Sequence, residues 1–438
     1  MFKKFQTIWD YVRTSLWFVP LLMSVGAAAL AGVAIGLEFE IGDPPPWWLH
    51  SGNGRDATEL LATLLGSLFT TLALALSITM VVLSLATNAL GPRLVRNFIG
   101  DTKTQVPLGL FIASIFYIVL VLRMVDSSNS AGDVPHFAVT LGTVLSTLSI
   151  FALLFFVHHL ARSIVADVVI ERVGAEFDNF VRAFPEIAEK APAETFTKEA
   201  SSRTLFALPV SGYVQAIDAD GLVTRAAQCD AFIQLPFRPG HHLLPCAATA
   251  EVRPANALDD ELKAAIISSV IVGPERTPVQ DLEYAMNQIV EIALRALSPG
   301  INDPFTAITA IDRLSSCLAG VMGRLLPSGR FCDDKGVVRL TTETSSFAGL
   351  VAVAFNRIRQ AAEGKADVLI GLVDALLPLL RIARTPEQAP PLLGQLNKVV
   401  AAARRSIREP GDLRDLEDRL QPFKAISSLD STVVSSSN

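Results

Sequence analysis

The chain has 438 residues, a net charge of -6 and a mean hydropathy of +0.42, and half of its residues are hydrophobic. This length allows two or three domains, and this hydropathy is too high for an ordinary soluble enzyme. The acidic balance leaves no broad basic face, which disfavours nucleic acid as a partner. The composition therefore indicates a membrane protein with a sizeable soluble part.

Four segments of the N-terminal region are apolar enough to cross a lipid bilayer, which takes about 20 consecutive apolar residues in a helix. They cover residues 15–37, 59–90, 106–122 and 137–160. We therefore predict a membrane α-helical domain of four transmembrane helices over residues 1–160.

The distribution of basic residues predicts the orientation of these spans. Basic residues are concentrated before the first span, between the second and third spans, and after the fourth span. They are Lys3, Lys4, Arg13, Arg93, Arg96, Lys103, Arg162 and Arg172. The loop after the first span is predominantly acidic. By the positive-inside rule, both termini are expected in the cytoplasm.

The second span carries a narrow polar stripe. A hydroxylated residue returns at every seventh position, at Thr63, Thr70, Ser77 and Ser84. Seven residues fall only about 20° short of two full helical turns, so these side chains share one face. Each hydroxyl can bond to the backbone one turn earlier, which makes it cheap to insert into lipid. With the polar residues at the end of the span, the candidate stripe is Thr63, Thr70, Ser77, Ser84, Thr87 and Asn88.

This stripe has two interpretations. Small residues let two helices approach closely, which favours packing against a neighbouring helix. Alternatively, the hydroxyls border a pore or a substrate path. The two interpretations overlap in a homo-oligomer that packs around this face. No acidic or basic residue lies in the middle of a span, which disfavours a proton relay or an ion-coupled transporter.

The remainder of the chain is predicted to be a cytoplasmic α+β region. The fourth span continues without a helix breaker to Pro185, so we predict one continuous helix that leaves the membrane and forms a stem over residues 161–195. Short strands in "SGYVQAI", "AFIQLPF" and "LPCAATAEV", with a short helix in "LVTRAAQC", predict a small β subdomain over residues 196–256. A helical subdomain over residues 257–421 and a disordered tail over residues 422–438 follow.

Several helix ends and one hairpin can be located in the helical subdomain. In "TPVQ", Thr277 is predicted as an N-cap and Pro278 as the first helical residue. That helix is expected to end near Leu297, with a left-handed turn at Gly300. In "NDP", Asp303 is predicted to cap the next helix. "RFCDDKGVVRL" predicts a β-hairpin.

The segment "ALSPGINDPFTA" is where a ligand site is sought in the soluble part. Helix capping explains this turn without a ligand. The alternative hypothesis places Asp281, Glu283, Asn302 and Asp303 around a cleft that binds an inorganic ion or a small molecule.

No sequence motif predicts an enzyme or a cofactor. The chain has no nucleophile elbow, P-loop, HExxH or dinucleotide fingerprint. A zinc set of Cys229, His241, His242 and Cys246 would lack the close ligand pairs of structural zinc sites, so no metal is predicted.

Four stretches resemble a family of bacterial predicted membrane proteins, domain of unknown function 2254. They are "SITMVVLSLATNALGPRLVRNFIGD", "SGYVQAIDADGLV", "RPGHHLLP" and "RTPVQDLEYAMNQIVEIALRALSPGINDPFTAITAIDRL". The resemblance covers nearly the whole chain. It implies four spans and a cytoplasmic C-terminal region, and with them a multi-pass location in the bacterial inner membrane. It supplies no reaction.

Two functional hypotheses follow from these observations. The first is an ion channel or pore-like conduit, in which the second helices of a homo-oligomer line or border a pore and the cytoplasmic region regulates it. The second is a scaffold or signalling protein anchored in the lipid bilayer, in which the stripe serves only for packing.

Overall fold

The computed structural model describes residues 17–37, 47–91, 101–125, 134–187, 195–196, 202–245, 247 and 249–421. The chain divides into two compact units, Met1–Val168 and Val169–Asn438. The predicted tail, residues 422–438, lies outside the described residues.

The described part of the first unit is helical. Its helices are α1 (Phe18–Gly36), α2 (Gly54–Leu90), α3 (Thr102–Leu122) and α4 (His136–Ser163). All four are long and apolar enough to cross a membrane. They coincide with the predicted spans, except that α3 begins at Thr102 rather than residue 106 and α2 begins at Gly54 rather than residue 59. The earlier start of α2 has a local cause, because Asn53 and Asp56 form a capping box in which each side chain accepts the other's backbone N–H.

Helix α3 is the central helix of this unit and packs against α1, α2 and α4. Gly109 of α3 lies directly against α1, since a Cβ there would be 3.3 Å from Cα of Pro20. Two hydrogen bonds tie α3 to α4. The Tyr117 hydroxyl donates to the carbonyl of Ala138 at 3.0 Å, and a buried Ser114–Ser149 pair lies at 3.0 Å. Such buried polar contacts stabilise helix association in lipid.

The predicted continuous stem is wrong in two respects. Helix α4 ends at Ser163, and a separate helix, α5 (Ala166–Arg182), begins after a turn at Ile164 and Val165. Two consecutive β-branched residues weaken the helix at this point, and the Ser163 hydroxyl turns back to the Leu160 carbonyl. The helix also ends at Arg182, well before the predicted residue 195. The amphipathic pattern is confirmed within α5, whose apolar face is buried.

The second unit has an α+β architecture. Its described strands are β1 (Thr195–Phe196), β2 (Thr204–Ala207), β3 (Gly212–Ile217), β4 (Phe232–Leu235), β5 (His242–Leu243), β6 (Thr249–Arg253), β7 (Val270–Gly273), β8 (Arg330–Cys332) and β9 (Val337–Thr342). One mixed sheet has the order β1-β9-β4-β6-β2, with β8 also paired to β9. A smaller antiparallel sheet has the order β5-β3-β7.

Apart from a 3-10 helix at Ala255–Ala257 and a helical segment over residues 410–421, the described helices of the second unit after α5 fall into two groups. The short helices α6 (Ala219–Gln228) and α7 (Asp260–Ser269) pack with strands of both sheets in one apolar core. The longer helices are α8 (Leu282–Ala296), α9 (Pro304–Met322), α10 (Phe347–Ala361), α11 (Ala366–Arg381) and α12 (Ala389–Ser406). They pack on one another through buried aliphatic faces.

The strand content is not confined to the predicted β subdomain. Strand β7 pairs with β3, and β9 pairs in parallel with β4. The predicted boundary after residue 256 therefore runs through both sheets. Parallel pairing of β4 and β9 requires a long crossover, which local sequence periodicity does not reveal. The strands predicted in "SGYVQAI" and "AFIQLPF", the helix in "LVTRAAQC" and the β8–β9 hairpin are confirmed, whereas the strand predicted in "LPCAATAEV" begins only at Thr249.

Helix α9 is a fifth helix with the length and composition of a membrane span. Its most apolar window has a mean hydropathy of 1.2, against 2.1 to 2.3 for α1 to α4. Its largely buried Arg313 donates to Asp178 at 2.6 Å and lies 3.1 Å from Glu171. Ion pairs therefore join α9 to α5.

Two of the predicted helix ends are corrected. Thr277 does not cap α8, which begins at Leu282. The Gln280 side chain instead bonds both the N–H and the carbonyl of Ile217, which holds the preceding residues in a turn. The left-handed residue after α8 is Asn302, with φ of 49°, rather than Gly300. Asparagine tolerates this conformation, and here its side chain accepts a bond from Lys365 at 2.5 Å.

The Asp303 cap is present as predicted. Its carboxylate accepts the backbone N–H of Thr306 at 3.1 Å and the Thr306 hydroxyl at 2.6 Å. Pro304 enters at the first turn of α9. The hydrogen bonds from Thr306 lower the pKa of Asp303.

We expect Asp303→Ala to destabilise the chain by about 1 kcal/mol at neutral pH, the usual cost of losing an N-cap. Because the pKa of Asp303 is lowered in the folded state, this contribution is present above the unfolded pKa and is lost as pH falls through the folded pKa. Thermal unfolding of the detergent-solubilised chain at neutral and acid pH measures both effects.

Asp260→Ala is the matched control for this substitution. Asp260 lies in the first turn of α7, where Asp259 provides the cap, and its side chain is exposed. Its replacement should change stability by less than about 0.5 kcal/mol. Equal melting of both variants would contradict the capping role of Asp303.

Candidate functional site

The first candidate site is the polar face of α2. We call the residues Thr63, Thr70, Ser77, Ser84, Thr87 and Asn88 the α2 stripe. All of them are exposed in the single chain except Thr87, which is half-buried. The small residues between them, Gly66 and Ala73, are exposed as well. The structure therefore brings the predicted stripe residues together on one outward-facing surface.

The opposite face of α2 is the one that packs within the unit. Its buried side chains are Ala57, Leu61, Leu68, Ala75 and Ala86. All of them except Ala86 belong to two apolar clusters that also contain residues of α3 and α4. The α2 stripe consequently takes no part in the apolar core of a single chain.

The hydroxyls of the α2 stripe fall into two groups. Thr63, Thr70 and Thr87 each donate to the carbonyl four residues earlier, at 2.7 to 2.9 Å. Ser77 and Ser84 make no such bond, and neither hydroxyl has a partner among the described residues. The backbone bond that the sequence allows for every hydroxyl of the stripe is thus present at the threonines and absent at Ser77 and Ser84. The two serines lie in the middle and the C-terminal half of α2 and present hydroxyls that remain available for hydrogen bonding.

The length of α2 also bears on this surface. A helix of 37 residues is about 55 Å long, which exceeds a hydrocarbon core of about 30 Å. The charged residues of α2 are Arg55, Asp56 and Glu59, all in its first two turns. The α2 stripe is therefore polar but uncharged.

The second candidate site was predicted at Asp281, Glu283, Asn302 and Asp303, and the structure separates these residues into two pairs. Asp281 and Glu283 lie at the N-terminal end of α8, whereas Asn302 and Asp303 follow its C-terminal end. A helix of 15 residues spans about 22 Å. The four residues therefore do not line one cleft.

Asp281 and Glu283 instead take part in a buried charge cluster with Arg238 and Arg276. Nε of Arg276 donates to Oδ2 of Asp281 at 2.6 Å, and the Asp281 side chain is only 1% exposed. Nη2 of Arg238 donates to Oε1 of Glu283 at 2.7 Å. Each carboxylate thus has an arginine partner, which a buried charge requires. Oδ1 of Asp281 is buried without a hydrogen-bond partner in the described part of the chain.

The turn between β4 and β5 closes over this buried charge cluster. Gly240 has φ of 91°, and a Cβ at that position would collide with the Asp281 carboxylate. Burial raises the pKa of Asp281 although Arg276 opposes the shift. Burial and the nearby Arg238 lower the pKa of His241, against the opposing charge of Glu343. Each carboxylate already has an arginine partner, so the cluster is explained as a stabilising contact within the second unit without a ligand.

Metal binding has no support in the described residues, where no group of three or more histidine, cysteine or acidic side chains is placed to hold an ion. Of the zinc set considered from the sequence, Cys246 lies outside the described residues.

Comparison with known proteins identifies the family. The family model described as "Predicted membrane protein (DUF2254)" matches residues 13–377. The chain belongs to this family. An uncharacterized protein of Mycobacterium bovis and one of Mycobacterium tuberculosis are each 28% identical over 422 residues, which cover 94% of this chain and 80% of the relative. No solved structure matches the chain.

The DUF2254 match extends from the region before α1 into α11, so both units belong to the family pattern. Together with the long apolar helices, it makes this chain a multi-pass membrane protein. The family description and the names of the mycobacterial relatives assign no activity.

Sequence reasoning on this DUF2254 protein missed Arg238 and Arg276 as partners of the acidic residues. Arg238 lies in "FRPGHHLLP" and Arg276 in "PERTPVQD", both within stretches that carried the family resemblance. The one sequence feature that could have pointed to these arginines is that each lies beside turn-forming glycine or proline residues. Which acid each arginine meets depends on how β3, β5 and α8 assemble.

We expect Arg276→Met to destabilise the chain by about 3–5 kcal/mol at neutral pH, because it leaves the Asp281 carboxylate buried without its counter-charge. The pKa of Asp281 is raised in the folded state. Its contribution to the free energy of unfolding is therefore fully present below the unfolded pKa and is lost as pH rises through the folded pKa. Without Arg276 that pKa rises further. The deficit of the variant should therefore shrink on acidification, as measured by thermal unfolding at acid and neutral pH.

Two controls accompany this substitution. Arg404→Met removes an exposed partner of Glu417 and should cost less than about 1 kcal/mol. Asp281→Leu combined with Arg276→Met should recover most of the lost stability, because no orphaned charge remains. A deficit for Arg276→Met that is the same at both pH values would show that Asp281 is not its cause.

Proposed function

We propose that this protein is a subunit of a homo-oligomeric, pore-like conduit for ions in the bacterial inner membrane, with the α2 stripe bordering the conduction path. The observation that carries the proposal is the state of Ser77 and Ser84. Both side chains are exposed, and neither hydroxyl has a partner among the described residues.

A free hydroxyl is costly in lipid. Moving one from water to an apolar environment without a hydrogen bond costs about 2–7 kcal/mol, depending on the reference state. The threonines of the α2 stripe avoid this cost through the helix backbone. For the serines, water in a path along α2 or a neighbouring subunit would supply the missing partner. In an oligomer packed around the α2 stripe, both water in a central path and a neighbouring subunit would be available as partners.

The uncharged character of the α2 stripe predicts how strongly the conduit selects ions by their charge. Strong charge selection requires rings of charged side chains or ordered carbonyl groups. The charged residues of α2 lie only in its first two turns. We therefore infer permeation with weak charge selection, controlled by pore width.

The proposal places four helices across the membrane, α1 to α4, and leaves α9 in the cytoplasmic region. Two features of α9 support this assignment. Its hydropathy is close to half that of the other four helices. Its Arg313 is engaged in ion pairs with α5, a helix with three acidic residues beyond Asp167. The basic residues that flank α1 to α4 favour cytoplasmic termini.

The regulatory part of the proposal concerns the second unit. An inorganic ion or a small molecule that alters the buried charge cluster would change the free energy of the cytoplasmic region. The acceptor without a partner is Oδ1 of Asp281, and a ligand would reach it only after displacing the turn at Gly240. Asn302 and Asp303, which already bond to Lys365 and Thr306, are weaker candidates.

A membrane-anchored scaffold is the second candidate function, and one observation favours it. A Cβ added at Gly66 would have no atom within 4 Å in the single chain. Exposed small residues of this kind let a second helix approach closely. In a scaffold, neighbouring helices would cover the α2 stripe completely and no path would remain.

Ser77→Leu tests the conduit directly. In planar bilayers we expect the wild-type protein to pass current and Ser77→Leu to reduce it, because leucine adds bulk and removes a hydroxyl at the conduction path. Leu76→Ser is the control, since Leu76 is exposed on the neighbouring face of α2. The control should leave the current unchanged, and Ser77→Thr should retain most of it.

The same variants decide between the two candidate functions. Crosslinking in membranes reports their oligomeric state. Silence of the wild-type protein across voltage, tension, pH and calcium, with Ser77→Leu only dissociating the oligomer, would establish packing as the role of the α2 stripe and would favour the scaffold.

Cysteine labelling tests the orientation. In a background with the four native cysteines replaced by alanine, we expect Ser51→Cys to react with a membrane-impermeant thiol reagent in intact cells and Asp260→Cys to be protected. Ser51 precedes α2 and is exposed, and the Asp260 side chain is 98% exposed in the second unit. After cell lysis both should react. Labelling of Asp260→Cys but not of Ser51→Cys in intact cells would show that the orientation is the opposite of the predicted one.

A further inference from the structure

A groove of about 460 Å³ lies on the first unit between α3 and α4, close to the N-terminal end of α3. Its walls are apolar and include Val106, Leu110, Phe151 and Phe155. Val106, Phe151 and Phe155 are exposed in the single chain. The volume falls in the range of small-molecule sites, about 300–1,000 Å³.

One end of the groove is basic. Lys103 belongs to its lining and is exposed, and no carboxylate of the described residues forms an ion pair with it. Asp101 is the neighbouring acid, but its carboxylate is engaged. It accepts the backbone N–H of Lys103 at 3.0 Å and lies 2.9 Å from Nε2 of His159. The Lys103 ammonium is thus available to an anion at the end of an apolar channel.

His159 lies behind this end of the groove, in contact with the lining residue Phe155 and with Asp101. Its ring stacks on Phe155, with the ring centroids 6.2 Å apart. The hydrogen bond between the His159 ring and the Asp101 carboxylate holds the start of α3 beside the last turns of α4. This contact connects the two helices at the point where the apolar walls meet the polar end.

We propose that this groove binds one acyl chain of an anionic phospholipid, with the headgroup phosphate at Lys103. The groove opens on the outer surface of membrane-spanning helices, where acyl chains are the apolar molecules at hand. A lysine at the end of such a helix extends its ammonium to the headgroup level. Basic pockets between transmembrane helices on the cytoplasmic side bind anionic headgroups.

Charge and shape together select this occupant. A zwitterionic lipid would fill the same apolar walls but gain less from the Lys103 ammonium. A free phosphate ion would gain the charge contact but leave the walls empty. The proposal rests on α3 and α4 spanning the membrane, as the proposed function does, and it is independent of conduction and of the α2 stripe.

Competition between two lipids with the same acyl chains tests the proposal. The full chain is delipidated in a neutral detergent and mixed with equal amounts of dioleoyl phosphatidylglycerol and dioleoyl phosphatidylcholine. Native mass spectrometry then counts the lipids retained. We expect one phosphatidylglycerol per chain with roughly fivefold preference, the contribution of a single lysine near a membrane surface.

Matched variants separate the headgroup contact from the apolar contact. Lys103→Gln should abolish the preference, whereas Arg123→Gln, which removes a charge at the other end of α3, should preserve it. Ala152→Phe fills the groove and should reduce retention of both lipids severalfold. Leu154→Phe places the same ring on an exposed position of α4 and should have no effect.

Three results would overturn the proposal: equal retention of both lipids by the wild-type chain, an unchanged preference in Lys103→Gln, or undiminished retention in Ala152→Phe. A chain that is silent in planar bilayers but shows the lipid preference would refute the conduit alone.

Discussion

Within a lipid bilayer, every polar group must find its partner inside the protein, because the hydrocarbon offers none. Several hydroxyl groups in the described helices α1 to α4 already meet this requirement within the chain. The Tyr117 hydroxyl reaches a carbonyl of α4, Ser114 pairs with Ser149, and threonines of α2 return to their own backbone. Ser77 and Ser84 depart from this pattern within the described residues. A departure of this kind on an outward-facing surface is the main reason to look for a partner outside the single chain, whether it is water or a second subunit.

The same principle acts on charges in the second unit. Arg313 is held by Asp178, Arg339 by Asp333 and Asp230, and Arg276 by Asp281. Two of these four pairs, Arg313–Asp178 and Arg339–Asp230, join segments that are far apart in the chain, as the pairing of β4 with β9 does. They specify which elements meet, although replacing a buried pair with apolar residues often costs little stability. The acidic residues around α8 therefore have a structural explanation before a ligand is invoked.

A structural feature could be predicted from the sequence when the residues that determine it are neighbours in the chain. Hydropathy is a local property, and it located α1 to α4. The Asp303 cap and the β8–β9 hairpin also depend on a few adjacent residues. Long-range pairing left no local signal, so the contribution of β7 and β9 to the sheets and the arginine partners of Asp281 and Glu283 were missed. The break between α4 and α5 was missed because Ile164 and Val165 fit an amphipathic helix pattern while weakening the helix itself.

The outer surface of the membrane unit thus presents two chemically different regions. The α2 stripe is narrow, uncharged and lined with small residues, which suits another protein surface or a water-filled path. The groove is lined by residues of α3 and α4, and none of its lining residues belongs to α2. An oligomer that covers the α2 stripe therefore has no need to cover the groove. Lipid bound against α3 would contact the helix on which α2 packs through Leu61 and Leu68. This arrangement gives lipid composition a physical route to the stability of α2 without any contact at the stripe.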